Sequence, residues 1–95
     1  MYGTVARMRV KPGMLDKLKE FARSEDMMKI PGHLSTIVYQ MDQDPNALIM
    51  AVIFESKESY MKNADSPGQN ARYEEFIALL EGPPEWNDGE VIYRM

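Results

Sequence analysis

Hydrophobic and polar positions change period along this chain, and each change is marked by proline or glycine: Pro12-Gly13, Pro31-Gly32, Pro45, Pro67-Gly68 and Gly82-Pro83-Pro84. From Tyr2 to Val10, Tyr2, Ala6, Met8 and Val10 fall on one side, while Val5, Arg7 and Arg9 fall on the other, which predicts a strand. Met14, Leu18, Phe21, Ala22 and Met28 recur at helical spacing among Lys17, Lys19, Glu20 and Arg23, predicting an amphipathic helix from Met14 to Met28 that Pro31-Gly32 ends. Leu34 to Met41 and Ala47 to Phe54 are β-rich runs joined by a turn at Asp42–Asn46. Ser56 to Glu81 has helical character interrupted near Ser66-Pro67, where a capping-box arrangement with Gln69 restarts the helix. Tyr73, Phe76, Ile77 and Leu80 form the buried stripe of that second piece, Gly82-Pro83-Pro84 stops it, and a last strand is expected from Glu90 to Met95.

The order β-α-β-β-α-β is the split βαβ plan of an α+β, ferredoxin-like fold. Right-handed crossovers place the first and third strands together in the middle of a four-stranded antiparallel sheet, with both helices on one face. The third strand is apolar on both sides: Leu48, Met50, Val52 and Phe54 on one, Ala47, Ile49, Ala51 and Ile53 on the other. Two helices cover one face only, and a bare second face carrying Val5, Ile49 and Ile53 is an unusually large apolar patch for a soluble monomer. Covering ~500 Å² of it per subunit at ~25 cal/mol/Å² contributes on the order of 12 kcal/mol before association costs. The expected cover is a second copy of the chain, packed sheet against sheet about a two-fold axis. The other reading is a central strand over a tight monomeric core.

Composition narrows the partners. The chain has 95 residues, enough for a single domain over 1–95, with 44% hydrophobic and 27% charged residues, an ordinary globular balance. Eleven Lys/Arg against fifteen Asp/Glu give a net charge of −4, which disfavours a phosphate backbone as partner. With no cysteine, disulfides, thiolate metal sites and cysteine nucleophiles are excluded. No apolar run approaches a membrane span, and no basic-then-apolar leader opens the chain, so a cytoplasmic protein without membrane association is expected. RNA-binding domains of the same strand order display aromatics beside Arg/Lys on their central strands, whereas Ala47 to Phe54 is mainly aliphatic.

Several short segments point to a family. Arg7-Met-Arg-Val-Lys-Pro-Gly13 opening into a helix, Pro31-Gly32 before the second strand, Phe54-Glu-Ser-Lys-Glu-Ser-Tyr60, Ala64-Asp-Ser-Pro67 and Pro83-Pro-Glu-Trp86-Asn-Asp-Gly-Glu90 together resemble the antibiotic biosynthesis monooxygenase-like proteins. The resemblance spans nearly the whole chain and implies a dimeric α/β barrel with a ligand cavity between helices and sheet. Some members oxygenate polyketide-type phenols or quinols with molecular oxygen and no cofactor, while others degrade haem. Haem-degrading relatives carry an Asn on the first strand and a Trp and a His on the second helix. By register those positions hold Ala6, Asn63 and Tyr73, which argues against haem degradation.

Candidate chemistry follows. His33, the sole histidine, is a general base for a phenol or else an exposed loop residue. Tyr60 and Asn63 are three apart, and Tyr73 lies ten beyond Asn63, so a continuous helix would align them to hydrogen-bond a substrate oxygen. Alternatively Tyr73 is a core residue and Asn63 frays a helix end. Trp86, the sole tryptophan, lids a cavity from its loop or bridges the dimer. Met8, Met41, Met50 and Met61 either form a deformable pocket for a flat ligand or fill the core. The site expected under the resemblance is Asn63, Tyr73 and His33 for catalysis, with Tyr60, Trp86, Ala6 and Met8 against the substrate. Arg7 and Arg9, on the face expected to meet the partner, each require a carboxylate or a wet position. Asp42, Asp44 and Asn46 begin like a calcium loop, but Ala47 stands where glycine is needed and Ile53 at the twelfth position. One histidine argues against a transition-metal site, and no glycine-rich nucleotide motif exists. No cofactor or metal is expected. The activity expected is cofactor-free monooxygenation of a small phenol- or quinol-type compound; the other class is a non-catalytic homodimer that binds a small apolar or aromatic molecule.

Overall fold

A computed structural model of the chain describes residues 1–24 and 29–95. Its elements are β1 (Tyr2–Arg9), α1 (Leu15–Ala22), β2 (His33–Gln40), β3 (Ala47–Phe54), α2 (Lys57–Ala64), α3 (Pro67–Ile77) and β4 (Glu85–Glu90). The strands form one antiparallel sheet in the order β2-β3-β1-β4, so the two expected central strands are central. Met28, the expected end of the first helix, lies outside the described residues. Among the described residues no helix is long and apolar enough to cross a membrane.

The period of two in β1 and β3 sets the two faces of the sheet. Thr4, Ala6 and Met8 pair with Val52, Met50 and Leu48, and all six belong to the helix-facing side. Ala6, Met8, Val10 and Leu48 join Leu18 of α1, Phe76 of α3 and Leu80 in the buried cluster, with Phe21 and Phe76 stacked at 6.0 Å. Val5 pairs with Ala51 on the opposite face, and Ile37 of β2 pairs with Ala51 from the other side. Val5, Ile37 and Tyr39 are 47%, 49% and 55% exposed there, so this face of the chain is bare and largely apolar.

Two local expectations are corrected. The last strand is Glu85–Glu90, not Glu90–Met95. The apolar run Val91-Ile92-Tyr93 suggested a strand, but Ile92 and Tyr93 are 95% and 77% exposed, and only the Val91 N–H continues the pairing, donating to the Met1 carbonyl. An edge strand is held by its backbone ladder to β1, so the polar sequence Glu-Trp-Asn-Asp-Gly-Glu serves without an apolar stripe. At the start of α3, half of the expected box forms: the Gln69 N–H donates to Ser66 Oγ, while the Gln69 side chain turns elsewhere. A full reciprocal box forms instead at α2, between Ser56 and Ser59.

Arg9 reaches out of β1 to both Asp44 and Glu81, meeting the need for a carboxylate, and both partners hold its guanidinium in the charged form. Asp44 also accepts from the Asn46 N–H, forming the turn between β2 and β3. Arg7 stands opposite Glu85 in the β1–β4 register.

At Gly3 the backbone of β3 leaves no room for a side chain: a Cβ there would lie 1.7 Å from the Val52 carbonyl oxygen, whereas one at its β4 partner Gly89 meets nothing within 4 Å. Gly3→Ala should therefore force the central strands apart and lower unfolding free energy by about 2–4 kcal/mol, with Gly89→Ala changing it by less than ~0.5 kcal/mol. Urea denaturation of the two variants provides the comparison.

Candidate functional site

The helices do not fill the space above the sheet. α1 and α3 pack over one end of it, at Met8, Leu48 and Phe76, while α2 stands over the other end near Tyr2 and Phe54. Between them lies a cavity of about 590 Å³, within the range of small-molecule sites. Its walls are largely apolar: Leu18 and Phe21 from α1, Met8 from β1, Met50 and Val52 from β3, Phe76 from α3. His33, Tyr60, Asn63, Tyr73, Trp86 and Met8 all line it, brought together from β2, α2, α3, β4 and β1. Ala6 does not line it; its methyl is fully buried in the sheet floor. Of the methionines considered as a pocket, Met8 and Met50 border the cavity, whereas Met61 is exposed and Met41 borders a different hollow.

Most polar wall residues are held by a neighbour. The Tyr60 hydroxyl donates to Asp88 Oδ1 at 2.9 Å, and its ring packs edge-on against Tyr2 and Phe54. Burial first, then the Asp88 carboxylate, push the Tyr60 phenol up to about 12, so it remains a hydrogen-bond donor across the physiological range. His33 Nε2 lies 2.6 Å from Thr36 Oγ1, and its ring meets Phe54 edge-on at 5.6 Å. Burial lowers the His33 pKa, keeping the imidazole neutral near pH 7. Gly32, with φ of 81°, turns the chain so that His33 enters β2 facing this side. Asn63 Nδ2 donates to Gln69 Oε1 at 3.3 Å, and Asn63 Oδ1 accepts from Arg72 Nη2 at 3.2 Å. The break at Ser66-Pro67 makes this triangle possible by folding α3 back beside the end of α2, where Ser66 Oγ donates to the Asn63 carbonyl.

Trp86 sits in β4 rather than in a loop, paired with Ala6, so it shares the helix-facing side and approaches Tyr73 at 6.4 Å. It therefore closes the β4 side of the cavity and is turned away from the bare sheet face.

The sequence reading passed over Thr4, Thr36, Gln69, Arg72 and Asp88, all of which line the cavity. Thr4 was legible, standing two residues before Ala6 on the same face, and Asp88 would have followed from Trp86 had β4 been placed at its true position. Thr4 is 5% exposed, and its hydroxyl, although near enough to Tyr60 to oppose slightly the rise of that phenol's pKa, has no hydrogen-bond partner of its own. An unpaired buried hydroxyl costs ~1–3 kcal/mol unless something in the cavity satisfies it.

Fold and cavity define an α+β protein with a small-molecule chamber between helix layer and sheet. The sequence model of the antibiotic biosynthesis monooxygenase family matches residues 1–79, and the chain belongs to that family. Among curated proteins none matches it by sequence. A Chloroflexus aurantiacus J-10-fl protein described as of the antibiotic biosynthesis monooxygenase type is 26% identical, with 99% of this chain and 95% of that one covered and a TM-score of 0.79. A variant of SnoaB, a cofactor-independent oxygenase from Streptomyces nogalater, gives a TM-score of 0.82 at 14% identity, covering 99% and 95% of the two chains. The Streptomyces coelicolor monooxygenase from ActVA-Orf6, in complex with nanaomycin D, gives 0.78 at 24% identity, covering 99% and 89%. At these last two identities the likeness is one of fold.

Because the Tyr60 pKa is raised in the folded chain, the stabilisation from burying its neutral phenol is complete below pH 10 and is lost as pH climbs from 10 to about 12. A titration of tyrosinate absorbance should show one late-ionising group that Tyr60→Phe removes and Asp88→Asn moves part of the way back towards 10.

Proposed function

We propose that the protein is a cofactor-independent monooxygenase acting on a small phenol- or quinol-type aromatic compound in the cavity of each subunit of a homodimer. The observation that carries this reading is the chamber itself: apolar walls, a donor at Asn63, an acceptor at the Tyr60 hydroxyl oxygen, and the Thr4 hydroxyl left without a partner. A planar aromatic ring bearing oxygen fits that combination, since its faces meet Phe76, Met50 and Trp86 while its hydroxyl and carbonyl oxygens meet these polar groups. Family membership and the cofactor-independent character of SnoaB support the reaction class.

In this reading the ring supplies every electron. A phenol with an open para position loses its hydroxyl proton to the neutral His33 imidazole, and dioxygen adds at the para carbon. One oxygen atom stays as the carbonyl of the quinone, and the other leaves as water with the two displaced hydrogens. Tyr60 and Asn63 hold the substrate oxygens, Tyr73 and Trp86 hold the ring, and the remaining walls exclude bulk water.

The dimer reading rests on the bare sheet face. Val5, Ile37 and Tyr39 are about half exposed there, beside Ile49, Ala51 and Ile53. Trp86 faces the cavity, so the partner is met by aliphatic side chains and Tyr39.

Oxygen uptake with a panel of naphthols and hydroquinones, in protein stripped of metal and flavin, tests the activity. Turnover should fall about 100-fold in His33→Ala, which removes the base, and in Asn63→Ala, which removes a donor to the substrate oxygen. Saturable binding without oxygen uptake would make the protein a non-catalytic carrier instead. Light scattering at micromolar concentration should give the mass of two chains, and Ile37→Glu on the bare face should give the mass of one.

A further inference from the structure

The two charges on the cavity wall stand in different places. His33 is neutral, the Asp88 carboxylate on β4 bears the negative charge and accepts from the Tyr60 hydroxyl, and among the described residues lining the cavity Arg72, on α3 beside Asn63 and Gln69, is the cation. Its Nε donates to Gln69 Oε1 at 3.2 Å and its Nη2 to Asn63 Oδ1 at 3.2 Å, both neutral amide oxygens. No carboxylate pairs with Arg72 among the described residues. The two amides fix the guanidinium plane without cancelling its charge, and they leave Nη1 uncommitted. A half-buried cation held rigidly on a largely apolar wall strengthens any interaction with an anion brought into the same space.

We infer that the cavity selects acids: its ligand is a planar aromatic compound carrying an oxygen already ionised in solution, an acidic enol or a carboxylate, and Arg72 receives that oxygen through the guanidinium N–H groups that Asn63 and Gln69 leave free. This deepens the proposed function, because it rests on the same cavity and narrows the phenol- or quinol-type class to its anionic members. Asn63 and Gln69 then act as positioning residues for Arg72 in addition to any contact with substrate. With Asn63 Oδ1 accepting from Arg72 and one Nδ2 hydrogen donated to Gln69, the second Nδ2 hydrogen of that amide is left for the ligand.

The test uses two probes of nearly equal shape: 2-hydroxy-1,4-naphthoquinone, which is an anion at neutral pH, and its neutral 2-methoxy ether. Binding is followed by the visible absorbance of the former and by calorimetry for both, on the full chain. The wild type should bind the anion about tenfold or more tightly than the ether. Arg72→Gln should abolish that preference while changing the affinity for the ether by less than about threefold, and Arg72→Lys should restore part of it. Retained binding of the ether also shows that the variant is folded. Equal affinities in the wild type, or a preference that survives Arg72→Gln, overturn the inference while leaving the aromatic site intact. Binding of neither probe overturns the inference and the aromatic reading of the cavity together.

Discussion

Everything in this molecule depends on the register between β1 and β3. Side chains alternate between faces with a period of two, so pairing Ala6 with Met50 and Thr4 with Val52 assigns every neighbouring residue to floor or exterior. A slip of one residue on β3 would place Ala51 and Ile53 beneath the helices and turn Met50 and Val52 outwards. It would also bring a different carbonyl against Gly3, the point where the two backbones come so close that a single methyl cannot be inserted. The close approach and the hydrophobic alternation thus enforce the same register independently.

The cavity is a consequence of how little helix sits on that sheet. A strand of eight residues runs ~27 Å, whereas the eight-residue helices α1 and α2 are each only ~12 Å long, so no helix spans the length of the floor. α1 and α3 serve the end of the floor where Leu18, Leu48 and Phe76 pack, and α2 serves the opposite end through Tyr60. What lies between is lined by large side chains that touch across it without closing it. Its polar groups are satisfied mostly among themselves: Tyr60 with Asp88, His33 with Thr36, and Asn63 with Gln69 and Arg72. Such pairing lets a largely apolar chamber retain hydrogen-bonding groups at modest cost, and it fixes their directions before any ligand arrives.

Much of this was legible in the chain because it was carried by period and by punctuation. The alternation of Tyr2 to Val10, the two-sided apolar run from Ala47 to Phe54 and the capped restart at Ser66-Pro67 are local signals, and they locate the central strands and the helical break directly. β4 was misplaced for an equally physical reason. It is an edge strand held by backbone hydrogen bonds to β1, so nothing in Glu85–Glu90 had to be apolar, whereas the apolar run after it packs on nothing in the protomer. That error hid the true setting of Trp86 and the presence of Asp88 beside Tyr60. Arg72 and Gln69 were hidden differently: on a helix surface they read as solvated polar residues, and only the fold-back of α3 on α2 turns them towards Asn63.

β3 serves both faces of the sheet, and this bears on how assembly and ligand binding relate. Met50 and Val52 floor the cavity, while Ala51 and Ile53, their immediate neighbours, belong to the bare face. The two sets are separated by one backbone yet never share a side chain, so a substitution that disturbs one face reaches the other only through a shift of the strand. The strand is held on both sides, by β1 and by β2, and resists such a shift. Covering the bare face with a second copy would therefore stiffen the cavity floor without altering its chemistry. A thin sheet that is apolar on both sides can serve two ends: the face without helices would supply association energy to a second copy, and the face with too few of them is free to remain hollow.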